Sequence, residues 1–309
     1  MIQILDNIPL ADKNWFKTGG PARFYGEPST AQEYAQALAF AHQHKLDIFV
    51  LGQGANILVS DTGFDGLVLR PHVVDIKIID TDVVQAGAGV IFEQLIQFCL
   101  ENNLVGLEEF SGIPGTVGGS VFINIHYFEF LLSQFLVSAE VIHAPTGTIL
   151  TVDHAWFKFG YNYSTLHDQP YYVISATFKL KKVSRTESAY ARGRSVEIIR
   201  HRVKRYPNAG TCGSFFRNFF DHEVTLESAG KKLIFVAYYL DKIGVKGQLK
   251  SGDAIVSYQH ANMLVNNGNA STQDIITLAR TMQQLVQHNF GIIPVPECQL
   301  IGFKEYPLL

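Results

Sequence analysis

Two glycine-rich segments, Gly52-Gln-Gly-Ala-Asn56 and Gly112-Ile-Pro-Gly-Thr-Val-Gly-Gly119, hold the residues of this chain best suited to chemistry. Glycines let main-chain N–H groups approach an anion closely, and tight turns of such residues form concavities that hold phosphate. Asn56, Thr116 and Ser120 stand in or beside them with groups that can hydrogen-bond phosphate oxygens. Neither segment is a Walker A sequence or a GxGxxG opening a helix. Gly52-Gln-Gly54 alone also reads as a plain turn. The second segment, with four glycines, a proline and a threonine, exceeds what an ordinary turn requires.

Other candidates read more blandly. Cys99, Cys212 and Cys298 lie far apart with no CxxC spacing, so neither a zinc site nor a disulfide framework is indicated, and a reduced, intracellular protein is expected. His42 and His44, two apart on a helix, face different sides and make no metal pair. Arg192, Arg194, Arg200, Arg202, Lys204 and Arg205 could meet phosphates but fit a solvated helix face. His126 has no visible partner.

The elements that position these residues follow an α+β pattern. Ser29 to Lys45 reads as a helix, with Thr30 and Glu33 in a capping-box pattern. An apolar strand at residues 48–51 leads into the first glycine segment, and further strands are expected at 57–60 and 67–69. The middle third carries strand signals at 73–79, 83–88, 138–143, 148–152 and 171–180, and a helix at 92–102. A basic helix from Glu187 to Arg205 connects to the last third. Helices at 226–242, ended by Gly244, and at 271–288 flank a strand at 261–266 and a turn at Asn267-Gly268.

The chain has 309 residues, 25 basic against 28 acidic, a formal net charge of −3, and 47% hydrophobic residues. It can bury a sizeable core, and length alone suggests about two domains. The near-neutral balance gives no whole-molecule reason for nucleic acid or a membrane surface as partner. No basic n-region precedes an apolar stretch at the start, and no apolar run is long enough to span a bilayer, so a cytoplasmic protein is expected.

Several segments together resemble one family. Asn14-Trp-Phe-Lys-Thr-Gly-Gly-Pro-Ala22, Gly52-Gln-Gly-Ala-Asn-Ile-Leu-Val59, Phe110-Ser-Gly-Ile-Pro-Gly-Thr-Val-Gly-Gly119, Tyr206-Pro-Asn-Ala-Gly210, Gly213-Ser-Phe-Phe-Arg-Asn218, His260-Ala-Asn262 and Pro296-Glu297 look like UDP-N-acetylenolpyruvoylglucosamine reductase (MurB), in that family's order and across nearly the whole chain. The resemblance implies a two-lobed FAD-binding fold of the vanillyl-alcohol oxidase/MurB type plus a C-terminal α+β substrate domain. We set these at residues 1–70, 71–186 and 187–309, the last with the connector helix. It implies reduction of UDP-N-acetylglucosamine enolpyruvate to UDP-N-acetylmuramate by NADPH, a step in peptidoglycan synthesis and hence in cell-wall growth, cell shape and division. FAD is the cofactor, a UDP-sugar and NADPH are the small-molecule partners, and a monomer is the expected state.

Carried over residue by residue, Gly52, Gln53, Gly54, Ala55, Asn56 and Ile57, with Gly112, Ile113, Pro114, Gly115, Thr116, Gly118, Gly119 and Ser120, would hold FAD. Ile174 matches a position near the flavin ring, although it reads equally as a core strand residue. The reaction needs a proton donor near C2 of the enolpyruvyl group and stabilisers for enolate charge. Ser214 matches the family's proton-donating serine, and Glu297, approached through Pro294 and Pro296, its C-terminal glutamate. Arg217 and Asn218 match substrate-contacting positions, Arg217 standing where a basic residue would meet phosphate or carboxylate. Two segments depart from the family. Asn162, within Phe159-Gly-Tyr-Asn-Tyr-Ser164, replaces the arginine expected to polarise the substrate carboxylate, and Asn124-Ile-His-Tyr-Phe-Glu129 replaces small residues with bulky ones. Altered substrate-side segments beside intact FAD segments leave two readings: a MurB with a compensating cation elsewhere, or a flavin oxidoreductase of the same fold acting on a different substrate. A non-catalytic flavin-binding protein is the third.

Overall fold

A computed structural model describes residues 1–309, which gather into two compact units. One comprises residues 1–7, 23–53 and 65–202; the other comprises 8–22, 54–64 and 203–309. This division differs from boundaries at 70 and 186, because residues 8–22 and 54–64 pack with the C-terminal third and most of the connector helix with the first unit.

In the first unit a five-stranded antiparallel sheet runs in the order Ile149–Asp153, Leu136–His143, Tyr171–Lys179, Val83–Gly87, Ile76–Asp80. A smaller sheet has the order Ile4–Pro9, Pro21–Gly26, Phe64–Leu69, Ile48–Val50. Its first two strands carry no clear alternation, which hid them in the sequence.

Helix α1 (Ala31–Gln43) starts where Thr30 accepts a bond from the Glu33 N–H, while the Glu33 carboxylate reaches back to Ser29 rather than to Thr30 itself. Its buried face, Tyr34, Ala37, Leu38 and Ala41, packs on Leu67, Leu69, Ile142 and Ile174. Helix α2 (Phe92–Glu101) sets Phe92, Leu95, Ile96 and Cys99 against Val84, Ala86, Ala176 and Phe178 of the larger sheet. The second glycine segment contains a short helix, α3 (Val117–Phe122), absent from the sequence expectation because Gly-Gly-Ser has poor helix propensity. Thr116 caps it.

Helix α4 (Arg185–Arg205) is less purely solvated than expected. Arg194 pairs with Glu109 at 3.0 Å, Arg192 donates to the Leu100 carbonyl and Arg202 to that of Gly112.

The second unit forms around helix α6 (Thr272–Phe290), capped by Ser271 and Asp274 and ended by Gly291 at φ +73°. Its face of Ile275, Leu278, Ala279, Met282 and Val286 packs with α5 (Val236–Ile243) and strand Ala254–Val256. Helix α5 ends at Gly244 as expected but starts ten residues later than residue 226. Glu227–Ser228 and Lys231–Lys232 pair as a hairpin around Ala229 and Gly230, both at positive φ, so the helix cannot begin before that turn closes. Strand Ile57–Val59 pairs in parallel with Gln299–Ile301.

Candidate functional site

The second glycine segment is held from both sides while two of its glycines face open space. Gly112 donates to Glu93, Gly115 donates to the Gln53 side chain at 2.8 Å, and Val117 and Gly118 donate to Val90 and Ala88 at 2.9 Å. Gly52 lies against Thr116 so closely that a Cβ there would stand 2.7 Å from the threonine hydroxyl oxygen. Gly52 and Gln53 therefore join Gly115–Ser120 in one assembly.

Over Gly115 a Cβ would meet only Ser120 Oγ, and over Gly119 only Thr116 Oγ1, each at 3.6 Å. Ser120 Oγ is buried and has no partner within the chain. Two hydroxyls thus overlook side-chain-free main chain, one of them unsatisfied, which is the cradle an FAD diphosphate requires. The residues present fit that cofactor. Ile113 and Pro114 carry the chain between the held glycines.

Ile174 contributes its main chain. Its side chain is 5% exposed and packs with Tyr34, Leu67 and Leu69, while its carbonyl accepts from the Ala88 N–H, whose own carbonyl takes the Gly118 N–H. The core reading of this side chain is what the structure shows.

The rest of the first glycine segment belongs to the second unit. Gly54, at φ +65°, lies where a Cβ would come 2.6 Å from Asn14 Cα, and its carbonyl accepts from the Trp15 N–H. Ala55 follows, half-buried. Asn56 donates its side-chain amide to the Glu297 carbonyl at 3.4 Å, and Ile57 enters the strand beside Gln299.

Ser214 and Glu297, far apart in sequence, lie on one ribbon. Glu297 N–H donates to the Phe215 carbonyl at 2.8 Å, Arg217 N–H donates to Val295, and Phe216 is bridged to Pro296. On its other edge the same segment meets residues 262–263, with Ser214 bridged to Met263. Phe215 and Phe216, 0% and 1% exposed, anchor the ribbon in the core, leaving Ser214 half-buried.

Arg217 is not an uncommitted cation awaiting a substrate anion. Its guanidinium makes two 2.7 Å bonds to the Glu223 carboxylate, lies 4.4 Å from the Phe220 ring centroid, and donates to the Asn218 carbonyl. Those bonds hold the Glu223 carboxyl down at about 2. The guanidinium and the carboxylate form a fixed, charge-balanced pair.

Asn162 sits in a tight turn closed by the Gly160–Tyr163 bridge, at φ +53°, and both polar atoms of its amide are buried without a partner. Asn124 steadies this turn by donating to the Gly160 carbonyl at 3.1 Å. The bulky segment after Asn124 folds as a hairpin, His126–Tyr127 against Phe130–Leu131, with Phe128 67% exposed at its tip. Arg202 lies over the Tyr127 ring, so the aromatic residues tie the hairpin to α4. His126 stacks obliquely on Tyr161, and burial pushes its pKa down, so it is neutral at pH 7 and no replacement for the missing arginine.

Asn262, within His260-Ala-Asn262, receives no role from sequence reasoning. Its position beside Ser214 arises from pairing between segments about fifty residues apart, which no local pattern announces.

A family model for an FAD binding domain matches residues 22–153, and one for the C-terminal domain of UDP-N-acetylenolpyruvoylglucosamine reductase matches residues 205–301. The chain is 34% identical over 308 residues to the protein of that name from Latilactobacillus sakei, covering 98% of this chain and 95% of the relative. It is 30% identical to the one from Chlamydia trachomatis serovar A, covering 97% of each. It is also similar to the crystal structure of UDP-N-acetylenolpyruvylglucosamine reductase from Thermus caldophilus, with a TM-score of 0.77 and 28% identity, covering 97% of this chain and 100% of that one.

Proposed function

The chain belongs to the UDP-N-acetylenolpyruvoylglucosamine reductase family, and we propose that it reduces UDP-N-acetylglucosamine enolpyruvate to UDP-N-acetylmuramate with NADPH. Bound FAD supplies the two-electron relay between NADPH and the enolpyruvyl group. Gly52, Gln53, Gly112–Ser120 and the Gly54–Ile57 stretch are the residues that would hold it. Once C3 of the enolpyruvyl group has gained hydride, negative charge gathers on the carboxylate side and C2 requires a proton. Ser214 supplies it from its hydroxyl. Glu297 serves as the enolate-side stabiliser.

The observation that carries this reading is the Glu297–Phe215 hydrogen bond, which puts the glutamate beside the serine's immediate neighbour. Asn162 offers neutral hydrogen bonds but no charge, and a neutral donor binds a carboxylate more weakly than an arginine does. The cytoplasm, where NADPH and sugar nucleotides are available, is the place of this reaction, and peptidoglycan supply for growth and division is its use. No helix is long and apolar enough to cross a membrane.

The test is anaerobic rapid mixing of the FAD-loaded protein. NADPH bleaches the flavin absorbance, and the enolpyruvyl sugar nucleotide restores it. Ser214→Ala leaves the bleaching intact and slows the restoration at least about a hundredfold. Equal restoration in that variant removes Ser214 from the mechanism. The unpartnered Asn162 amide favours one second reading, a reductase of the same fold with another substrate. In that case NADPH bleaches the flavin and the enolpyruvyl sugar nucleotide does not restore it.

A further inference from the structure

Asn262 is 2% exposed, and its amide grips the main chain of a single residue. Its Oδ1 accepts from the Phe216 N–H at 3.1 Å, and its Nδ2 donates to the Phe216 carbonyl at 2.7 Å. Its own carbonyl accepts from the Phe215 N–H at 2.8 Å, and its own N–H donates to His260 Nδ1 at 3.3 Å. Every polar group of the residue is spent. The side chain does for Phe216 what a neighbouring strand would do, giving one donor and one acceptor to a residue whose peptide groups cannot reach water.

No other side chain reproduces this. Aspartate keeps an acceptor but loses the donor, glutamine is one methylene too long for the same main-chain residue, and serine does not reach both groups. On the opposite side of the ribbon, Phe215 and Arg217 are held by Glu297 and Val295, so Phe216 depends on Asn262 alone for both its groups.

The residue before Ser214 makes that dependence matter. Gly213 adopts φ +79°, and a Cβ placed on it would meet nothing within 4 Å, so the chain there is held by hydrogen bonding, its N–H donating to Thr211 Oγ1 at 3.2 Å, and not by side-chain packing. Ser214 is thus joined on one side to an uncrowded glycine and on the other to the residues clamped by Asn262.

We infer that Asn262 is a positioning residue for the proton-donating hydroxyl, fixing the segment from Ser214 to Arg217 through the Phe216 peptide groups. This rests on the role of Ser214 proposed above. A donor displaced by about an ångström commonly costs on the order of a hundredfold in rate.

The experiment uses the FAD-loaded full chain with Asn262→Asp, Ser214→Ala and the double variant. Asn262→Asp lowers kcat about a hundredfold with KM within threefold and leaves bleaching by NADPH at the wild-type rate. It raises the solvent isotope effect on kcat, because proton delivery becomes the slow step. In the Ser214→Ala background the same substitution costs less than about threefold, since its target is already gone. A full further hundredfold loss in that background overturns the inference, as does an unchanged kcat in the single variant. Should Asn262→Asp fail to fold, hydrogen exchange on the wild-type protein decides. A Phe216 amide protected as strongly as the core supports the clamp, and one exchanging like an open loop overturns it. Absence of wild-type turnover with the enolpyruvyl sugar nucleotide would instead refute the proposed reaction, leaving the clamp to be judged by exchange.

Discussion

Gly118 and Gly119 are adjacent residues of α3, and alanine at the two should have opposite consequences. At Gly119 the new methyl would lie 3.6 Å from Thr116 Oγ1, an ordinary contact, and touch nothing else in the chain. The polypeptide then gains the usual helix advantage of alanine over glycine, about 0.5–1 kcal/mol, and the flavin-free protein melts about 1–2 °C higher. The same methyl occupies the space assigned to the FAD diphosphate. Loss of a single good phosphate contact is worth about 1.4 kcal/mol, a tenfold weaker Kd, and a direct clash costs more.

At Gly118 the methyl would stand 3.0 Å from Ala88 Cβ and 3.2 Å from the Ala88 carbonyl oxygen, tighter than packed atoms accept. Overpacking of this kind costs about 1–3 kcal/mol, so Gly118→Ala lowers the melting temperature with or without cofactor. The assay is a pair of measurements on each variant: melting of the flavin-free protein, and quenching of flavin fluorescence on titration with FAD. A Gly119→Ala protein that binds FAD with the wild-type Kd would show that the diphosphate does not lie over this segment.

Glu223→Gln leaves the Arg217 guanidinium, 18% exposed, without its carboxylate. The loss of a partly buried bidentate pair is expected to cost about 1–2 kcal/mol in urea unfolding, and an unchanged midpoint would mean that the pair contributes nothing net. Acid stability has a specific source in His260, whose pKa burial pushes down from 6.5 to about 4. Between those values the unfolded chain takes up a proton that the folded one refuses, so stability is lost as pH falls from about 6.5 to 4, by up to about 3 kcal/mol. His260→Gln should flatten the melting temperature over that window, and an unaltered pH slope would assign the effect to other groups.

Much of the cofactor side was legible because its requirements are local. Gly115 and Gly119, which leave main chain bare for the proposed diphosphate, stand out in a run of eight residues, and Thr30 with Glu33 marks a helix start within one turn. The substrate side was legible only in residue identity. Ser214 and Glu297 could be named by resemblance, but their shared ribbon depends on pairing across about eighty residues. The ion pair of Arg217 was hidden, since nothing in Phe-Arg-Asn reveals that Glu223, six residues on, turns back to meet it. Residues 226–235 misled for a simpler reason: the apolar run at 233–240 drew the expected helix start back across a two-residue turn at Ala229-Gly230. In the hairpin after Asn124 the bulky residues are taken up by contacts with Tyr161 and α4, which no local pattern announces.

The parallel pairing of Ile57–Val59 with Gln299–Ile301 also governs how the polypeptide is made. Leu58, fully buried in the finished protein, leaves the ribosome about 240 residues ahead of its partner strand, an interval of roughly ten to fifty seconds at ordinary elongation rates. Throughout that time an apolar edge stays unmatched on a nascent chain whose earlier portions can already collapse. Closure of this edge therefore waits until residues 299–301 have been made, and residues 57–59 need shielding until then.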